Sequence, residues 1–203
     1  MADDPFVQHL KTLLVPALKQ QRFEGKFPSF TRSIGELIQQ VTVSGSRYGG
    51  ERSITLGIGF RFLDGFSAYE DGIEYCLPIS SEIAQDGWWR YNRESVNDCE
   101  SRADNMIHSF HANADAFFIK YSSFPGLFAE LTMHDLEFAP TSVLPPRSFR
   151  NIARDCFVLM RLWNFLGQDN RARDFAMMGL QHVGNADKLK SAFGSFLATA
   201  TIE

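Results

Sequence analysis

From Ser53 to Phe62 apolar and small or polar residues alternate without a break. Ile54, Leu56, Ile58, Phe60 and Phe62 take one side, and Ser53, Thr55, Gly57, Gly59 and Arg61 take the other. A period of two sustained over this length belongs to a β-strand with one face in a core, because a helix would scatter the same residues around its axis. A second run precedes it. Leu37, Gln39, Val41 and Val43 share one face, and Ile38, Gln40, Thr42 and Ser44 share the other. The link is Gly45-Ser46-Arg47-Tyr48-Gly49-Gly50-Glu51, whose glycines can adopt the positive φ angles that a tight connection needs. The two strands are therefore expected to be antiparallel neighbours, and they organise the rest of the chain.

Ahead of this pair, Asp4 followed by Pro5 is a helix start. The carboxylate accepts from the first turn, and the proline sits where its missing N–H is harmless. Phe6, Leu10, Leu13, Leu14, Ala17 and Leu18 recur at helical spacing and predict a helix over 5–21, with a kink or split at Pro16. Phe27 to Ser33 reads as an edge strand because Pro28 interrupts it. After the pair come a turn at 63–65, a loop over 66–72, and a fourth strand over 73–79 that ends or lies at an edge at Pro78. Another turn at Gln85-Asp86-Gly87 leads into Trp88-Trp89-Arg90-Tyr91.

Ser95 or Asn97 caps a long helix running to about Tyr121, with Ala103, Ile107, Phe110, Ala114, Phe117 and Phe118 as its apolar stripe. Phe124-Pro125-Gly126 breaks it, and a short helix is expected over 126–134. Residues 137–148 are poor in periodicity and hold three prolines, the pattern of a linker. From Phe149 three apolar stripes at helical spacing follow, separated near Gly167 and Gly184. Their short links imply antiparallel helical hairpins. The predicted fold is α+β: an antiparallel four-stranded sheet covered by helices, with a C-terminal helical hairpin region. Residues 1–136 form the α+β domain, and 137–203 form the linker and the helices packed on it, or one domain continuous with it.

Composition excludes several classes of function. The chain has 203 residues, a formal net charge of -4 and no block of basic residues, against a nucleic-acid binder that needs clustered Lys and Arg. With 44% hydrophobic residues, 19 of them Phe, it can bury a core without staples. Cys76, Cys99 and Cys156 are odd in number and widely spaced, as expected of reduced thiols in a cytoplasmic protein. No apolar run reaches the length of a membrane span, and the acidic start at Asp3 and Asp4 is unlike a secretory signal.

No strong catalytic motif is present: no phosphate-binding loop, no dinucleotide loop, no H-E-x-x-H helix and no G-x-S-x-G elbow. Three weaker features remain. The first is the link itself, where Arg47, Tyr48 and the Gly49–Gly50 backbone, with Arg52 and Arg61, could clamp an anion or meet a partner. Equally, a hairpin link needs glycine and polar residues merely to turn. Gly57 and Gly59 leave one strand face bare, either because a ring or helix lies across them or because they floor a shallow groove. Trp88 and Trp89 suit core closure or a stacking platform. The second feature is Asp104, His108, His111 and Asp115, which share one helix face. That face is a weak catalytic candidate, or simply a solvated surface. The third is Cys76, whose neighbours Tyr75, Leu77 and Pro78 read as structural. No cofactor and no metal are expected.

Leu13-Leu14-Val15-Pro16-Ala17-Leu18-Lys19, the aromatic strand Phe27 to Arg32, Gln40-Val41-Thr42-Val43, Ser46-Arg47-Tyr48-Gly49-Gly50, Leu56-Gly57-Ile58 and Asp86-Gly87-Trp88-Trp89 follow one another in a recognisable order. That order resembles the bacterial proteins grouped as domain of unknown function 4304, over roughly residues 5 to 120. Relatives tend to carry Cys-His and an arginine in the fourth strand, where this chain has Cys76-Leu77 and no arginine nearby. The resemblance implies an intracellular bacterial α+β protein and, by association, an immunity-like role; it implies no activity. The expected function is a non-enzymatic module that binds a protein partner or a small anionic ligand through the hairpin end. The alternative is a hydrolase or transferase using the His/Asp helix face.

Overall fold

The computed structural model describes residues 4–63, 73–138 and 151–199. The strand expected to run to Phe62 ends at Phe60, because Arg61–Leu63 close into a 3-10 turn that starts the turn expected at 63–65. The rest of that turn, the loop over 66–72 and most of the expected linker lie outside the described residues.

Among the described residues six antiparallel strands form one sheet. β1 (Glu24–Lys26), β2 (Ser29–Ile34), β3 (Leu37–Gly45), β4 (Glu51–Phe60) and β5 (Ile73–Pro78) lie in that order, and β6 (Trp89–Arg90) pairs with the first residues of β4. The register of β3 on β4 sets Val41 opposite Leu56, Val43 opposite Ile54 and Leu37 opposite Phe60. All of these are buried, so the alternation read from the sequence is the core face. The four expected strands are β2 to β5. β1 and β6 add three and two residues respectively, too few to carry a period of their own.

Helices cover the apolar face. α1 (Pro5–Gln20) packs along α2 (Val96–Lys120). Leu10, Leu14 and Leu18 of α1 are fully buried, each worth about 1.5–3 kcal/mol relative to exposure. This stripe runs past Pro16, and α1 is one helix rather than the split pair the proline predicts. Pro16 is exposed and sits in the last turn and a half, so little backbone hydrogen bonding depends on it. Ser95 caps α2 by accepting from Asp98 N at 3.3 Å, whereas the Asp98 carboxylate accepts from Asn92 N at 2.7 Å. The expected helix over 126–134 is two, α3 (Gly126–Glu130) and α4 (Met133–Phe138). Thr132 Oγ1 accepts from Asp135 N while Asp135 Oδ2 accepts from Thr132 N, a reciprocal cap that starts α4 afresh. The expected boundary at 136/137 falls inside α4.

α5 (Ile152–Phe165), α6 (Asp169–His182) and α7 (Asp187–Thr199) follow, with α6 and α7 forming a hairpin-like pair. Gly167 closes α5 as expected: its N–H donates to Asn164 O, and Gln168 N donates to Trp163 O at 2.8 Å. Phe60 meets Phe128 edge-on at 4.8 Å, and Phe62 stacks on Phe165 at 5.5 Å. One contiguous core thus runs from Phe6 to Phe193. No helix among the described residues is long and apolar enough to cross a membrane.

Candidate functional site

The link between β3 and β4 is held shut by its own backbone. Ser46 N donates to Glu51 O at 3.2 Å, Gly49 N to Ser46 O at 3.0 Å, and Tyr48 N to the Ser46 hydroxyl at 3.2 Å. Gly49 has φ 78°, so the backbone favours glycine, and the Arg93 guanidinium lies against its Cα side. Gly50 O accepts from Tyr91 N at 2.9 Å, which continues the β6 pairing to the foot of the link. At the tip, Arg47 lies 4.8 Å over the Tyr48 ring, and Tyr48 is 82% exposed.

Beneath the tip lies a polar knot centred on Asp4. Its Oδ1 accepts from Phe6 N at 3.2 Å, the N-cap bond of α1. Its Oδ2 accepts from Arg52 Nη2 at 2.8 Å and from the Tyr91 hydroxyl at 2.6 Å, and Arg93 Nη2 stands 3.8 Å away. Tyr91 also stacks on Phe6 at 4.3 Å. Burial raises the Tyr91 phenol well above its ordinary pKa, and its hydrogen bond to Asp4 adds to the shift. One carboxylate therefore ties the start of α1, the foot of β4 and the exit of β6 together. Arg90 reinforces the outer side, bonding Glu51 at 3.0 Å and Asp86 at 2.7 Å.

The residues proposed from sequence as one binding set divide into separate groups. Arg47, Tyr48, Gly49 and Gly50 form the exposed hairpin end. Arg52 stands at its foot with Nη2 on the Asp4 carboxylate and Nη1 donating to Glu51 O at 3.2 Å, so its guanidinium is already engaged on both sides. Arg61 is exposed beyond the other end of β4, roughly 30 Å along the strand at about 3.3 Å per residue, and cannot share a ligand with Arg47. Gly57 and Gly59 are both buried, set opposite Gln40 and Ile38 of β3. Trp89 is 1% exposed, and its Nε1 donates to Asn105 Oδ1 at 2.9 Å, which makes it a core residue; Trp88 is half-buried. Neither Tyr91 nor Arg93 is marked out by the sequence, and Asp4 is marked there only as a helix cap. The Tyr91–Asp4 bond spans 87 positions, and no local signal could have found it.

Asp104, His108, His111 and Asp115 are all exposed along the outer face of α2. Asp104 Oδ1 pairs with His9 Nε2 at 2.8 Å, and His111 lies edge-on to Phe110 at 5.4 Å. Among the described residues no group of three or more His, Cys, Asp or Glu converges as metal ligands do. The side chain of Cys76 lies outside the described residues.

The other two thiols are fully buried. Burial raises the Cys99 pKa, and its Sγ donates to Asn92 O at 3.3 Å. Burial, with Asp155 and then Glu137 nearby, pushes the Cys156 thiol from 9.0 up to about 12. Neither is a nucleophile at neutral pH. A stability consequence follows by linkage. Cys156 keeps its proton in the folded chain after the unfolded chain has lost it. Its contribution is complete below the unfolded value and is lost as pH climbs toward the folded one, on the order of 1 kcal/mol per pH unit. Tyr91 acts in the same direction at higher pH. Urea melts between pH 8 and 11 are expected to show stability falling with pH, with a shallower fall in Cys156→Ala. Identical slopes for the two proteins would show that the thiol is not responsible.

No family model matches the chain, and neither the curated proteins nor the solved structures contain a match.

Proposed function

We propose that this chain is a non-enzymatic, cytoplasmic binding module, immunity-like and akin to the domain of unknown function 4304 proteins, that presents its β3–β4 hairpin end to a protein partner. The observation that carries this reading is the Arg47–Tyr48 pair, a stacked cation and ring held out in solvent on a loop that is itself pinned. Arg and Tyr are enriched among residues that dominate binding energy. A pinned loop has less conformational freedom to lose on association, which leaves more of the contact energy as affinity. A protein partner is favoured over a small anion because Gly49 N, one of the amides an anion would need, already donates to Ser46 O.

The test compares the intact protein with Arg47→Ala/Tyr48→Ala. The immobilised chain is used to capture a partner, whose affinity is then measured by calorimetry. The double substitution is expected to weaken binding at least about a hundredfold. Melting should barely move, since exposed substitutions change stability by about 0.5 kcal/mol or less. Equal affinity for both proteins would remove the hairpin end as the interface, and a large drop in melting temperature would reassign the pair to folding.

A further inference from the structure

A groove of about 810 Å³ lies between α5 and α7, away from the hairpin end. The size is that of a small-molecule site. Its floor is apolar and comes from both helices: Phe157 and Met160 from α5, Ala192 and Phe196 from α7. Arg161 lines the same space, half-buried. Its Nη2 donates to Phe62 O at 3.0 Å, which fixes the guanidinium, and it has no carboxylate partner among the described residues. Lys188 at the wall is likewise without a carboxylate among those residues. The Thr199 hydroxyl is turned back onto its own helix at Phe196 O, whereas Ser191 and Ser195 line the groove with hydroxyls that make no hydrogen bond among the described residues.

We propose that this groove binds an amphipathic monocarboxylate, with its apolar body on the Phe157–Phe196 floor and its carboxylate on Arg161. Each part of that class follows from the lining. A guanidinium already oriented by one carbonyl offers its remaining N–H groups to a planar oxyanion, and carboxylate matches that fork. A wholly apolar ligand would cover the guanidinium without satisfying it, which opposes binding. A cationic head would meet Arg161 and Lys188. A polyanion is disfavoured because Asp187 also lines the groove and leaves it only one net positive charge.

Octanoate, 1-octanol and octylammonium are the probes, titrated separately into the full chain and followed by amide chemical shifts. Shifts are expected over Phe157–Arg161 and Lys188–Thr199, with octanoate saturating in the millimolar range about tenfold more tightly than octanol. Octylammonium is expected to bind weakest. Arg161→Gln should bring octanoate down to the level of octanol. Ser195→Trp changes an exposed residue, should leave the melting temperature within a few degrees of the unaltered chain, and should abolish binding of all the probes by filling the groove. Shifts centred elsewhere, octanoate no tighter than octanol, or undiminished binding by Ser195→Trp would each overturn the assignment. Arg47→Ala/Tyr48→Ala should bind octanoate as the unaltered chain does, which separates this site from the hairpin end.

Discussion

Phe193→Ala is expected to lower the stability of the protein by about 3–5 kcal/mol, among the largest effects of any single substitution in the C-terminal helices. The ring is fully buried and meets Phe157 edge-on at 6.0 Å. It also presses on the backbone of α6 at Gly179. A Cβ there would stand 2.3 Å from Cζ, 2.6 Å from Cε1 and 2.7 Å from Cε2 of Phe193. Gly179 is thus the hole and Phe193 the knob that joins α6 to α7. Gly179→Ala sets two effects against each other. Alanine improves helix propensity by about 1 kcal/mol, while overpacking a filled site costs about 1–3 kcal/mol. The clash is with the rim of a boxed ring rather than with a flexible chain end, so the loss should prevail. Phe193→Leu placed in the Gly179→Ala background should then recover stability that Phe193→Leu alone loses. Urea denaturation of the four proteins measures this coupling, and strictly additive changes would show that the two positions act independently.

Gln39→Leu is expected to cost about 2–4 kcal/mol although it replaces a core-facing residue with a more apolar one. Gln39 is fully buried on the apolar face of β3, opposite Arg32 of β2. Its Nε2 donates to Phe118 O at 3.2 Å, and its Oε1 accepts from Arg32 Nε at 2.9 Å and Nη2 at 2.6 Å. Arg32 Nη1 in turn donates to Gln21 O at 2.8 Å, and its guanidinium stacks over Phe23 at 4.5 Å. This cross-strand pair therefore satisfies carbonyls at the C-terminal ends of both α1 and α2, where helix carbonyls lack intrahelical donors and a positive charge is favoured. Burial lowers the Arg32 pKa, and Asp115 opposes that shift. Removing Gln39 alone leaves Arg32 Nε and Nη2 and the Phe118 carbonyl without their partners, while Arg32 Nη1 keeps Gln21 O. Arg32→Met/Gln39→Leu together should cost less than the sum of the two single changes, because no charge is then left without its acceptor. A double variant as unstable as the sum would show that the two residues contribute separately.

The strand pair was legible because its information is local. Alternation over adjacent residues fixes which side chains face inward, and a short link fixes which strand lies alongside. Both survive in the register of β3 on β4. β1 was not legible, since Glu24, Gly25 and Lys26 are all exposed and carry no apolar residue to alternate. The division of α3 from α4 had a signal in Thr132 and Asp135, a capping pair that the expectation of one helix over 126–134 passed over. Of the residues grouped as a candidate binding set, the spacing along the chain could not show which lie together in space. Exposure of Arg47 and Tyr48 agrees with a surface role, whereas Arg52 is held by a carboxylate 48 positions earlier in the chain.

By itself the sequence determined the α+β class, the antiparallel strand pair, and the start of α1 at Asp4 and the end of α5 at Gly167. Each depends on periodicity or on chemistry within a few residues. Only the tertiary structure decided the fate of the polar and aromatic groups that could serve either a fold or a ligand. Arg52 went to Asp4, Gln39 to the end of α2 and Trp89 to Asn105, while Arg161 went to Phe62 O and lines a groove. The physical reason is that a hydrogen bond is decided by atoms within about 3 Å, and packing brings such atoms together from segments whose spacing along the chain carries no trace of the meeting.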